Sequence, residues 1–163
     1  MAKKPGRTYK YYTGTPLWPF GFGLSLTDFA FKCTHQDRQS AWQAHNATAV
    51  TVSCSVSNTG ARDGDEVLQV YHRANASLPS PTPIKALVEF ARITVVAGGT
   101  ETVNFELPQT ALSVVDANGD RVVTKGVHYF DVTTGAGVPS PTQTITVQVA
   151  QSSILDKVPI NNA

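Results

Sequence analysis

Residues 49–57, AVTVSCSVS, alternate without a break. Val50, Val52, Cys54 and Val56 fall on one side of an extended chain; Thr51, Ser53, Ser55 and Ser57 fall on the other. An extended backbone throws successive side chains to opposite faces, so period two marks a strand with one face in a core and one in water. A helix would scatter the same valines around its circumference. A strand with one apolar face needs neighbours beside it and a second layer above it.

The rest of the chain supplies them. FAFKC at 29–33 reads as a first strand, AVTVSCSVS as a second and EVLQVYHRA at 66–74 as a third. IKALVEFARITV at 84–95, TETVNFEL at 100–107, VHYFDVTTG at 127–135 and QTITVQVAQ at 143–151 follow. Between them lie NTGARDGDE, the proline-rich NASLPSPTP, Gly98-Gly99, DANGD and GAGVPSPT, all dense in turn formers. A single helical turn is expected just after Leu107, ahead of a hairpin at DANGD. About seven short strands with a turn signal roughly every ten residues predict an all-β fold, an immunoglobulin- or fibronectin III-like antiparallel β-sandwich. No room exists for the crossover helices that parallel pairing needs.

The 163 residues then divide into an extended Gly/Pro/aromatic arm at 1–28, the sandwich at 29–151 and a tail at 152–163. The tail is expected to fray, or to dock weakly through Ile154, Leu155, Val158 and Ile160. The arm carries PLWPFGFGLSLTDF at 16–29, with too much proline and glycine for a helix and too little regularity for a strand. Tyr9, Trp18, Phe20, Phe22 and Leu24 are its interface candidates. A large ring left in water forfeits about 2 kcal/mol of burial. The arm is therefore expected to be buried, against its own sandwich or against a second chain.

Charge excludes several functions. Net charge is +1, and charged residues make up 15% of the chain, below the usual quarter, so no field gathers nucleic acid or an anionic membrane. No apolar run approaches the roughly 20 residues of a membrane span. The opening MAKKPGRTYKYY has cations but no apolar run after them, unlike a signal peptide. Two N-glycosylation sequons, at Asn46 and Asn75, nevertheless suit an extracellular or secretory protein, which suggests a piece of a longer secreted precursor. The same compartment favours pairing of the only two cysteines, Cys33 and Cys54.

Motifs that could carry chemistry read better as structure. Asp63, Asp65 and Glu66 fit a solvated hairpin turn with Gly64 at positive φ. Asp116-Ala117-Asn118-Gly119-Asp120 lacks the distal glutamate of a calcium loop; Lys125 stands there. His35, His45, His72 and His128 are spread over different strands and loops without ligand spacing. Trp42 reads as a packing residue between the cysteine strands. No metal or other cofactor is called for.

A resemblance completes the reading. PGRTYKYYTGTPLWPFGFGLSLTDF, from Pro5 to Phe29, resembles the C-terminal junction of glycoside hydrolase family three, the β-glucosidases and β-xylosidases. VSNTGARDGDEVLQVY at 56–71, LVEFARITVVAGGTETVNFEL at 87–107, LSVVDANGD at 112–120 and GVHYFDVTTG at 126–135 resemble the fibronectin III-like domain that follows it there, although the last has one extra residue before Tyr129. The resemblance implies a nucleophilic Asp in a barrel domain and an acid/base Glu in an α/β domain, and this chain has no counterpart of either. It implies a non-catalytic module that docks or stabilises the missing catalytic domains, or another protein chain, through residues 5–29. The alternatives are a fragment of a working β-glucosidase or β-xylosidase, and a polysaccharide- or wall-binding module. Neither nucleic acid nor a membrane span is expected as a partner.

Overall fold

In the computed structural model, residues 6–37, 48–74, 82–135 and 142–157 are described. Seven principal strands form two facing sheets. The first sheet runs β1 (Phe29–Asp37), β2 (Thr48–Asn58) and β5 (Thr100–Pro108), with β2 in the middle. The second is ordered β4 (Ala86–Val95), β3 (Gly64–Arg73), β8 (Gly126–Thr133) and β9 (Thr142–Val149). Every pairing is antiparallel. This is the expected fibronectin III-like sandwich.

The alternation in β2 does what its pattern requires. Val50, Val52, Cys54 and Val56 are fully buried and meet Leu68, Val70, Phe130, Val132, Ile145 and Val147 from the facing sheet. On the outer face, Ser53 stands opposite Asn104 and Ser55 opposite Thr102. Asn58 ends β2 as a buried hub. Its amide donates to the carbonyls of Arg62 (2.7 Å) and Val95 (2.9 Å), and its oxygen accepts from the Thr27 hydroxyl (2.7 Å). One side chain thereby holds the β2–β3 turn, the end of β4 and the end of the arm.

Three short strands add to the expected seven. β6 (Val114–Val115) and β7 (Arg121–Val123) form the hairpin around DANGD, after a 3-10 turn at Gln109–Leu112 where a helical turn was expected. Asp116 closes the hairpin by accepting from the amides of Asn118 and Asp120, both at 2.9 Å, and Gly119 takes the left-handed backbone, φ +87°. β10 (Ser153–Asp156) pairs with β7, and Leu155 is buried while Ile154 is half exposed. The tail is therefore tied down through Leu155 rather than frayed at this point; Val158 and Ile160 lie outside the described residues.

Gly64 departs from its expected role. It opens β3 without a positive φ. Glycine is needed there because a Cβ would sit 2.8 Å from the Thr27 methyl, where the arm joins the sandwich.

Candidate functional site

Tyr71 lies on the outer face of β3, between the core residues Val70 and His72, yet it is completely buried. The arm is what buries it. A four-residue helical turn, α1 (Thr8–Tyr11), brings the Tyr9 ring edge-on to Tyr71 at 5.6 Å. The Leu87 amide donates to the Tyr9 hydroxyl (3.1 Å), and the Ile84 amide donates to the Lys10 carbonyl (2.7 Å). Lys85 lies over the Tyr71 ring at 5.0 Å. The Tyr71 hydroxyl donates to Gln69 (2.6 Å); burial, with Tyr9 alongside, pushes its pKa well up, so it stays a donor. Burial pulls the Lys85 pKa down; Asp131 acts the other way and Arg73 adds to the lowering.

The arm then turns back over the sheet. Pro19 to Phe22 make a tight turn, closed by the Phe22 amide donating to the Pro19 carbonyl (3.0 Å). Gly21 takes its third position with φ +81°, the conformation that a type II turn reserves for glycine. Phe20 stacks on Tyr9, ring centroids 4.6 Å apart, and Trp18 leans on Phe22 at 4.7 Å.

Beyond these anchors the arm faces water. Trp18 is 66% exposed, Phe20 49%, Phe22 45% and Leu24 93%, with Leu17 and Leu26 each at 86%. Phe90, the neighbour of Gln69 in the β3–β4 register and 62% exposed, extends the apolar strip onto the sheet. A groove of about 710 Å³ runs between Tyr12, Trp18, Phe20, Ile84 and Lys85. Of the five interface candidates, Tyr9 alone is fastened to the sandwich. Burial against its own sandwich leaves Trp18 and Leu24 mostly exposed and Phe20 and Phe22 about half exposed, although the arm is held at Tyr9 and at the Lys10 carbonyl.

Cys33 and Cys54 are directly opposed in the β1–β2 register and form a disulfide, Cα atoms 4.0 Å apart. Asn46, Asn75, Trp42 and His45 lie outside the described residues. The acidic turn is structural: Asp65 accepts from Arg92 (2.9 Å) and Thr94 (2.6 Å), and Asp63 accepts from the Ala97 amide (2.8 Å). No group of three or more metal-ligating side chains occurs among the described residues, and no described helix is long and apolar enough to cross a membrane.

The histidines need a correction. His35 lies at the rim beside Asp37. His72 and His128, separate in sequence, meet in the core with Nε2 of one 2.8 Å from Nδ1 of the other. The β3–β8 pairing that joins them links residues too far apart in sequence for local spacing to show. Tyr71 and Gln69 were missed for a related reason. The outer face of EVLQVYHRA mixes Val67 and Tyr71 with Gln69 and Arg73, so its pattern gives no clear signal that something covers it.

Comparison with known proteins agrees with this geometry. Residues 66–137 match the model of the fibronectin type III-like domain. A β-xylosidase from Formosa agariphila is 40% identical over 78% of this chain, which spans 17% of that protein. A β-glucosidase from Kluyveromyces marxianus, solved with glucose, superposes with a TM-score of 0.73 at 27% identity, covering 86% of this chain and 16% of its own. A GH3 β-glucosidase from Bifidobacterium adolescentis gives a TM-score of 0.67 at 25% identity, covering 80% and 18% respectively. The chain thus spans less than a fifth of the length of these relatives.

Proposed function

We propose that this chain, whose fibronectin type III-like domain is similar to that of family-three β-xylosidases and β-glucosidases, is a non-catalytic docking module that works outside the cell. The arm is its contact surface, and the partner is a catalytic body of the family-three type. One observation carries the reading. Leu17, Trp18, Leu24 and Leu26 stand in water, with Phe20 and Phe22 about half exposed, on a ribbon held to the sandwich by the Tyr9 side chain and the Lys10 carbonyl. Pinning removes most of the chain entropy that ordering a free ribbon would cost on binding. A contiguous apolar patch of this kind marks a surface to be covered. A glycosidase needs two carboxylates across a sugar pocket. Several described acids serve structure instead: Asp63 and Asp116 accept from turn amides, Asp65 pairs with Arg92 across β3 and β4, and Asp131 pairs with Arg73.

The test is binding to a family-three β-xylosidase from which its own C-terminal domain has been removed, with its melting temperature as the readout. The wild-type chain is expected to bind and raise that temperature. A Trp18→Ser/Phe22→Ser variant is expected to lose both effects while its own unfolding stays unchanged. Failure of the wild-type chain to bind would sink the reading. Xylan retention that needs Trp18 and the groove would favour a carbohydrate ligand instead. The chain alone is expected to leave nitrophenyl β-xyloside and β-glucoside intact.

A further inference from the structure

Building on the docking role proposed above, we propose that the groove beside the arm receives an acidic side chain of the catalytic body, paired with the Lys85 ammonium. The groove, about 710 Å³, is walled by Tyr12, Trp18, Pro19, Phe20 and Ile84; Lys85 is the one charged group among its described lining residues. That ammonium is held against the sandwich. It lies 5.0 Å from the centre of the Tyr71 ring, and Tyr71 is completely buried. Tyr9 meets the same ring edge-on at 5.6 Å and stacks on Phe20 at 4.6 Å. The cation and the exposed rings of the arm therefore share one support.

The charges at that support do not balance. Lys85 and Arg73 are both cations, and Asp131 is the carboxylate that acts on both. Asp131 accepts from Arg73 at 2.5 and 3.0 Å and from Thr144 at 2.7 Å. Three bonds hold it in place, so it cannot turn outward to follow Lys85. Two cations sharing one carboxylate leave the cluster positive.

Docking decides what becomes of this charge. In the uncovered chain Lys85 is only partly buried, and water reaches it through the groove. A partner that covers Trp18 and Phe20 closes the groove and removes that water. An ammonium stripped of water is strongly disfavoured unless it is paired and hydrogen-bonded. An all-apolar cover would bury it against a positive cluster. A carboxylate supplies the opposite charge and the acceptors together. The remaining walls are aromatic and aliphatic, so the residues on either side of that carboxylate must be apolar. The partner site is thus an Asp or Glu within an apolar stretch.

The test uses the intact chain and the family-three β-xylosidase that lacks its own C-terminal domain. Lys85→Met keeps an apolar stem over Tyr71 and removes the charge. It is expected to weaken binding by about ten- to a hundredfold, the usual worth of a hydrogen bond to a charged group, and to flatten the dependence of affinity on sodium chloride. Nuclear magnetic resonance of the Tyr9–Tyr71 ring contact checks that the arm stays seated. A carbodiimide joins an amine to a carboxylate in contact with it. In the wild-type mixture it is expected to link Lys85 to an Asp or Glu of the β-xylosidase, and this readout needs no substitution. Suppose Trp18→Ser/Phe22→Ser abolishes binding, while Lys85→Met leaves its strength and salt dependence unchanged. The pairing is then overturned and docking stands. A carbodiimide link from Lys85 to a second copy of this chain, or no link to the β-xylosidase in the bound mixture, overturns it too. No binding by the wild-type chain removes docking and pairing together.

Discussion

Gln143 acts as one more strand residue for Cys33. Its side-chain oxygen accepts from the Cys33 amide (2.6 Å), and its side-chain nitrogen donates to the Cys33 carbonyl (3.0 Å). Residues on the two sheets are thus joined where β1 would otherwise show an open edge to β9. The same bonds fix the cysteine geometry. Since the Cys33 amide and carbonyl turn toward Gln143, they turn away from β2, and Cys33 and Cys54 form a non-hydrogen-bonded pair. Side chains approach most closely at such pairs.

Gln143→Ala should leave both Cys33 backbone groups short of a partner at a half-covered edge. A loss of about 1–3 kcal/mol is expected, since that is the usual cost of stranding such groups. Urea unfolding measures it, and amide exchange should speed up along β1 ahead of β2. Unchanged exchange in β1 would mean that the edge is held by something else.

The disulfide closes a loop with a sequence separation of 21. Loop closure of that length restricts the unfolded chain by about 3 kcal/mol. A Cys33→Ala/Cys54→Ala variant is expected to unfold at lower urea by that amount, plus a smaller packing cost, with the same strand pairing. Mass spectrometry of protein from an oxidising host should show no free thiol.

Local pattern carried most of the fold. Period two placed β2, β5 and β9, and turn chemistry placed DANGD, because both depend on residues within a few positions of one another. Pairing across long separations stayed hidden. Gln143 meets Cys33 110 residues away, and His72 meets His128 56 residues away. The arm was legible as aromatic and irregular, but its division into an anchored Tyr9 and an exposed Trp18 was not. That division rests on where the backbone of Lys10 finds Ile84 and where Gly21 finds Gln69, contacts between segments that no spacing rule connects.

Asp131 gives stability in acid a component separable from that of the buried histidines. Burial raises its pKa, but bonds from Arg73 (2.5 and 3.0 Å) and Thr144 (2.7 Å), with Lys85 nearby, outweigh burial and lower it. A lowered carboxylate stabilises the fold above its unfolded value near 3.8 and loses that contribution as pH falls through the folded value. Burial lowers the pKa of His72 and His128, so their loss begins higher, below 6.5. Stability measured by urea should therefore decline in two stages. Asp131→Asn is expected to lower the neutral plateau and shrink the second stage, so that the two curves approach each other at low pH. Parallel curves down to pH 2 would remove Asp131 from the account.

The last prediction concerns the hinge between anchored and exposed arm. Gly21 has φ +81°, and a Cβ there would lie 2.6 Å from both the oxygen and the nitrogen of the Gln69 amide. That amide cannot simply swing aside, because Gln69 is buried and its oxygen accepts from the fully buried Tyr71 hydroxyl. Left-handed backbone adds about 1–2 kcal/mol for any residue with a Cβ. Peeling the arm away relieves both costs, whereas the core strands gain nothing by moving. Gly21→Ala is therefore expected to expose Tyr71 and weaken docking to the truncated β-xylosidase while the Leu68, Val70 and Phe130 core stays protected in hydrogen exchange. Gly23→Ala is the control, since a Cβ at Gly23 meets nothing within 4 Å and its φ is not positive. If Gly21→Ala docks as well as Gly23→Ala, the close approach of Gly21 to Gln69 plays no part in presenting Trp18 and Phe22.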